Sequence, residues 1–164
     1  MHQEPELSPR LRQRLKETHG YTDEQLDRYL TGNPKALRVL HGFAGRYREY
    51  KMVAEVVQSR GCALRLQPGD KFVFTSDGLL LADESTAALC LWALAPLAPW
   101  NFMVYDRLIE GQDPCDFGID RVRCMDVGLE CGGWGEVLFR VYCVKEPWSL
   151  SAALDRRYIA QPKD

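Results

Sequence analysis

The 164-residue chain has no C-x-x-C pair, no G-x-S-x-G string, no internal repeat and no low-complexity segment. The first absence excludes a zinc ribbon of the usual spacing and a thioredoxin motif. The second removes the elbow on which an α/β-hydrolase Ser-His-Asp triad rests. The third and fourth argue against solenoids and long linkers. An excess of charge is also missing: 21 Lys and Arg face 23 Asp and Glu, for a net charge of −2. Charge alone therefore recruits neither nucleic acid nor an anionic membrane. Arg10, Arg12, Arg14 and Lys16 recur along the first helical stretch, but the spacing reads as a solvated helix face rather than a DNA-binding stripe. The opening MHQEPELSPR has no apolar core of a secretory signal, so a cytoplasmic setting with reduced thiols is expected. Histidine is scarce, and His2, His19 and His41 all precede the β-rich part. His41, at a helix end, is best read as a partner for the helix C-terminal carbonyls.

Long uncharged runs are nearly absent too. The one exception, 85–105, is long enough to span a membrane. Pro96 and Pro99 interrupt it, and Asp83, Glu84, Asp106 and Arg107 close its ends. It is read as a buried core helix capped at Asp83 or Ser85 and split at the prolines. On the helix after the prolines, Asp106 and Glu110 are spaced i, i+4 and read as a solvated acidic face.

Residues 1–49 form a helical annex in this reading. Ser8-Pro9 opens a helix that Gly20 closes, Thr22 and Gln25 make a capping box, and Asn33-Pro34 opens a third helix. Such short helices must dock on something to persist. The core domain spans 50–146. Met52–Val57 and Lys71–Thr75 are strands, with Met52, Ala54 and Val56 on one face and Phe72 and Phe74 on one face. Arg121–Val127 and Glu136–Val144 flank a glycine-rich turn as a hairpin. Residues 147–164 make a tail with a short amphipathic helix over 149–159. The fold class is α+β: short helices, then a β-β-α-β-β unit with a small, mostly antiparallel sheet.

The chemistry in this chain lies with six cysteines. Cys115 and Cys143 have peripheral or ordinary packing explanations. Cys62 at a turn, Cys90 at the start of the core helix, and Cys124 and Cys131 around the hairpin end can converge as ligands for Zn²⁺ or an iron–sulfur cluster. Each taken singly also suits a core position, because free cysteine packs as a small hydrophobe. The string Glu130-Cys131-Gly132-Gly133-Trp134-Gly135 offers a second chemistry. Successive glycine amides can cradle an anion, with Gly132, Gly133 and Trp134 as the binding backbone. Cys131 is then a nucleophile with Glu130 or Asp126 as its base. The same string also reads as an ordinary glycine turn, with Trp134 covering the core edge.

Gly61-Cys62, Pro68-Gly69-Asp70-Lys71-Phe72, Cys90 with Ala93-Leu94-Ala95-Pro96, and Cys124-Met125-Asp126 together resemble a family of short uncharacterised prokaryotic proteins. The family's pattern is G-C-x-x-G-H-K-x-G-D-x-F, a helix-opening cysteine, then C-x-D. The long helical front and the Cys-Gly-Gly-Trp-Gly loop look like a longer subgroup. The resemblance covers 50–146 and singles out Cys62, Cys90 and Cys124. It departs at the family's Gly-His, which here is Arg65-Leu66. It implies a fold and candidate positions, not an activity.

Three functions stay open at this point. The first is a metal-binding accessory protein or small subunit of a larger complex, built on Cys62, Cys90, Cys124 and Cys131. The second is a metal-free thiol enzyme acting on a small anionic ligand. The third is a non-catalytic module whose terminal helices and tryptophans form homo-oligomer contacts. Neither nucleic acid nor membrane is expected as a partner.

Overall fold

The computed structural model describes residues 7–43 and 46–149. The tail helix expected over 149–159 lies outside them from residue 150 onward.

The annex follows its local signals. In α1 (Pro9–His19) the Ser8 hydroxyl accepts from the Leu11 amide at 3.2 Å. Gly20 ends the helix at φ 70°, a left-handed position that glycine takes without strain. In α2 (Asp23–Gly32) the Thr22–Gln25 capping box is complete, at 3.2 and 2.8 Å. Two of the regularly spaced basic side chains of α1 serve the annex itself. Arg12 binds Asp23 and Asp27, and Lys16 binds Asp23. The third helix, α3 (Ala36–Phe43), closes on the body of the protein at Gly42. A β-carbon there would lie 2.8 Å from the Ile109 Cα, so two helices meet backbone to backbone.

The body is a four-stranded antiparallel sheet in the order β2-β1-β4-β3. Its strands are β1 (Tyr50–Arg60), β2 (Lys71–Thr75), β3 (Arg121–Arg123) and β4 (Glu136–Lys145). Register places Met52, Ala54 and Val56 opposite Cys143, Val141 and Phe139, and Met52 and Ala54 opposite Phe74 and Phe72. The apolar alternation thus forms one continuous buried face. The helices α4 (Leu91–Leu94) and α5 (Ala98–Ile109) cover that face with Ala93, Val104 and Leu108, and Leu97 joins them from the turn between. They are joined by a 3₁₀ turn at Ala95–Leu97, where Pro96 needs no amide partner.

The core helix starts later than its capping signals suggest. Ser85 and Thr86 cap a strand rather than a helix. Their hydroxyls accept from the amides of Val73 and Lys71 at 3.0 Å each, and the amides of Thr86 and Ala87 donate to the Lys71 carbonyl. Strand β2 is an edge, and satisfying its free side holds 85–90 extended. Helix formation begins only at Leu91, with Cys90 in the N-cap position. The expected hairpin is likewise shorter. Val122 does pair with Phe139, but β3 ends at Arg123 and a loop occupies 124–135.

The expectation of six reduced thiols does not hold for Cys115 and Cys143. They are bonded to each other, with Cα atoms 5.7 Å apart and a sequence separation of 28. The bond pins the loop after α5 to β4. A loop of that length predicts a stabilisation of about 3 to 4 kcal/mol. In denaturant, the protein is expected to show four reactive thiols before reduction and six after it. Six before reduction would exclude the bond.

Candidate functional site

The two ends of the sheet carry different structures. At one end β1 finishes and β2 and β4 begin, and the loops 61–70 and 124–135 meet there. At the other end lie the annex and the end of α5. The helices α4 and α5 run between the two.

The loop 124–135 is organised by Asp126. Its carboxylate accepts the amides of Gly128, Trp134 and Gly135 at 3.2, 3.0 and 3.0 Å. Burial opposes the charge, but these backbone donors outweigh it and hold the carboxyl below its ordinary value. The amides of Cys131, Gly132 and Gly133 donate to the carbonyls of Gly128, Leu129 and Gly128. Every amide expected to cradle a ligand anion is therefore spent within the loop, and the anion in the cradle is Asp126 itself. Gly133 is required by this closure, since a β-carbon there would lie 2.1 Å from the Asp126 Oδ1. Gly132 takes φ 84°.

The thiols are placed separately. Cys62, Cys90 and Cys124 are half-buried and packed against the core. The Cys124 sulfur accepts the Val137 amide at 3.2 Å. Cys131 is exposed on a short 3₁₀ turn. Among the described residues, no three His, Cys, Asp or Glu side chains come together in a way that could hold a metal ion. Cys62, Cys90, Cys124 and Cys131, expected to converge from their turns and helix start, are not among any such group. The reason is that three sulfurs fill gaps in the core while the fourth sits on the loop surface. Asp126 is likewise committed as an acceptor. Glu130 lies one residue before Cys131 on the same turn. His41 is in the annex, at the far end from Cys131, with its Nε2 buried and unpartnered. Glu110 pairs with Arg38 at 3.1 Å.

Trp134 does not cover the core edge. Its amide is held by Asp126 and its carbonyl presses on Gly61, and the side chain is left 78% exposed. It has company. The Met125 amide donates to the Trp92 carbonyl at 2.9 Å, which ties the start of α4 to this loop. Around that junction Leu89, Leu91, Trp92, Met125, Val127 and Leu129 are all exposed, Leu91 and Leu129 at 75% and 72%. The expectation of a buried 85–105 helix conceals this, because an uncharged run carries no mark of which of its residues face water. Arg65, on the neighbouring loop, has φ 56°, a left-handed conformation at the position where the resembled pattern has glycine.

No family model, curated protein or solved structure matches the chain. Among the described residues, no helix is long and apolar enough to cross a membrane.

Proposed function

We propose that the chain is a non-catalytic interaction module that pairs with a second copy of itself through the loop end of its sheet. The observation that carries this reading is the exposed apolar group of Trp92, Trp134, Leu89, Leu91, Met125 and Leu129 on a loop closed by Asp126. Isolated exposed leucines need no explanation, but two tryptophans and several aliphatics gathered at one end do. Tryptophan is also the residue most enriched among interface hot spots.

A second copy is favoured over a charged partner by the electrostatics of the patch. Asp126 is compensated by backbone amides, and Arg123 is paired with Glu136. Among the described residues Glu130 is the loop's one exposed charge without an ion pair, and a mainly apolar, self-complementary patch closes as a two-fold dimer. The loop is also held in one conformation before binding, which lowers the ordering cost of association.

The metal reading lacks a converged ligand set, and the thiol-enzyme reading lacks free amides for its anion. Both rank below the module for those reasons. The expected cytoplasmic setting is tested by the thiol count, made on protein alkylated at the moment of cell lysis. Six reactive thiols fit it, with the Cys115–Cys143 bond then closing only after lysis; four, the number that bond leaves free, contradict it.

Sedimentation velocity tests the proposal. The expected result is a dimer over roughly the micromolar range. Trp134→Ser and Leu129→Ser should each weaken the dimer by about thirtyfold or more without changing the far-ultraviolet spectrum. A monomer at all concentrations would overturn self-association and leave the patch to a different partner.

A further inference from the structure

A cavity of about 500 Å³ lies at the annex end, between α1, α2, α3 and the turn before β1. Its size falls within the range of small-molecule sites. Helix α1 has an apolar stripe but no buried residue. Its Leu11 and Leu15 line this space instead of touching a floor, and Leu26, Leu40 and Tyr29 form much of the remaining wall. An amphipathic helix normally buries its stripe against the protein. Here the stripe faces an opening that a ligand can fill.

The charged groups at the cavity are unequal. Asp77 accepts the Thr75 hydroxyl at 2.5 Å. Arg14 and Arg48 both line the space. Arg12 and Lys16, on either side of Arg14, are paired with Asp23 and Asp27, but among the described residues Arg14 meets no carboxylate. Arg48 donates through Nε to the Tyr47 hydroxyl at 2.7 Å, and its guanidinium lies over the Tyr47 and Trp148 rings at 5.3 and 5.8 Å. It too has no carboxylate partner among the described residues. The stacking holds its planar fork in place and leaves its terminal nitrogens for another acceptor.

We propose that this cavity binds a small organic carboxylate with an aromatic or aliphatic body. The body packs on the leucines and tyrosines, and the carboxylate meets Arg14 and Arg48. The site lies at the opposite end of the sheet from the docking loop and does not depend on it.

The test titrates the full chain with 2-naphthoate and, separately, with the neutral 2-naphthylmethanol, following backbone amide shifts. Saturable 2-naphthoate shifts are expected on α1–α3 and at Tyr47 and Asp77, with affinity about tenfold or more above that of the alcohol. Arg14→Gln and Arg48→Gln should each cut the 2-naphthoate affinity about tenfold and leave alcohol binding unchanged. Trp134→Ser should change neither. Equal affinity for acid and alcohol would overturn the proposal. So would shifts confined to 125–134, or nuclear Overhauser contacts from 150–159 to Leu15 and Val39 in the free protein, which would make the chain's own tail the occupant.

Discussion

Phe139→Ala is expected to remove about 3 to 5 kcal/mol of stability, read as a fall in the urea midpoint with an unchanged slope. Phe139 is fully buried in the middle of β4 and opposes Val56 on one side and Val122 on the other. Its ring lies 5.9 Å from that of Phe72, and Leu97 and Val104 belong to the same core from the helix layer. Truncation removes the transfer energy of the ring and leaves a hole that paired strands cannot close. Because whole domains are stable by only about 5 to 15 kcal/mol, the variant should sit near the edge of folding. Phe102 provides the internal comparison. It lies on α5 and is 68% exposed, so Phe102→Ala should change stability by less than about 0.5 kcal/mol. Equal effects of the two substitutions would contradict the assignment of the core.

The second large effect is expected from Gly133→Ala. The new methyl group would sit 2.1 Å from the Asp126 Oδ1 and 2.8 Å from the Gly128 nitrogen. One of these contacts is backbone, so a side-chain rotation cannot relieve both. The carboxylate must leave, and the amides of Gly128, Trp134 and Gly135 lose their acceptor together. Their hydrogen-exchange protection should fall by roughly tenfold or more, the scale of a hydrogen bond to a charged group. Amides within β1 and β4 should keep theirs. Acid should reproduce the effect in the wild-type protein. The Asp126 carboxyl is held below its ordinary 3.8, so its contribution is complete above that value and is lost as pH falls through the lower folded value. Dimerisation should weaken under both treatments.

The difference between what could be read from sequence and what could not follows the range of the interactions. Ser8, Gly20, Thr22 and Gln25 fix the annex helices through bonds spanning a few residues, and the sequence displays them directly. The alternation at Met52, Ala54 and Val56 and at Phe72 and Phe74 reports the buried sheet face for the same reason. The start of α4 is different. Ser85 looks like a helix cap, and only the tertiary position of edge strand β2 turns it, with Thr86, toward that strand's backbone. Asp126 reads as a catalytic base by type and position, but its partners Trp134 and Gly135 are eight and nine residues away, across a loop whose closure no local rule foretells. The cysteines show the limit most directly. Spacing alone does not separate Cys143, bonded to Cys115 across 28 residues, from Cys131, left free on the surface.

A concentration series of backbone amide spectra is the sharpest probe of docking at the loop end of the sheet, because it locates self-association as well as detecting it. Progressive shifts and broadening confined to 61–64, 89–92 and 125–134 are expected, fading in Trp134→Ser. Spectra that do not change with concentration, or changes clustered on α1–α3, would contradict docking there.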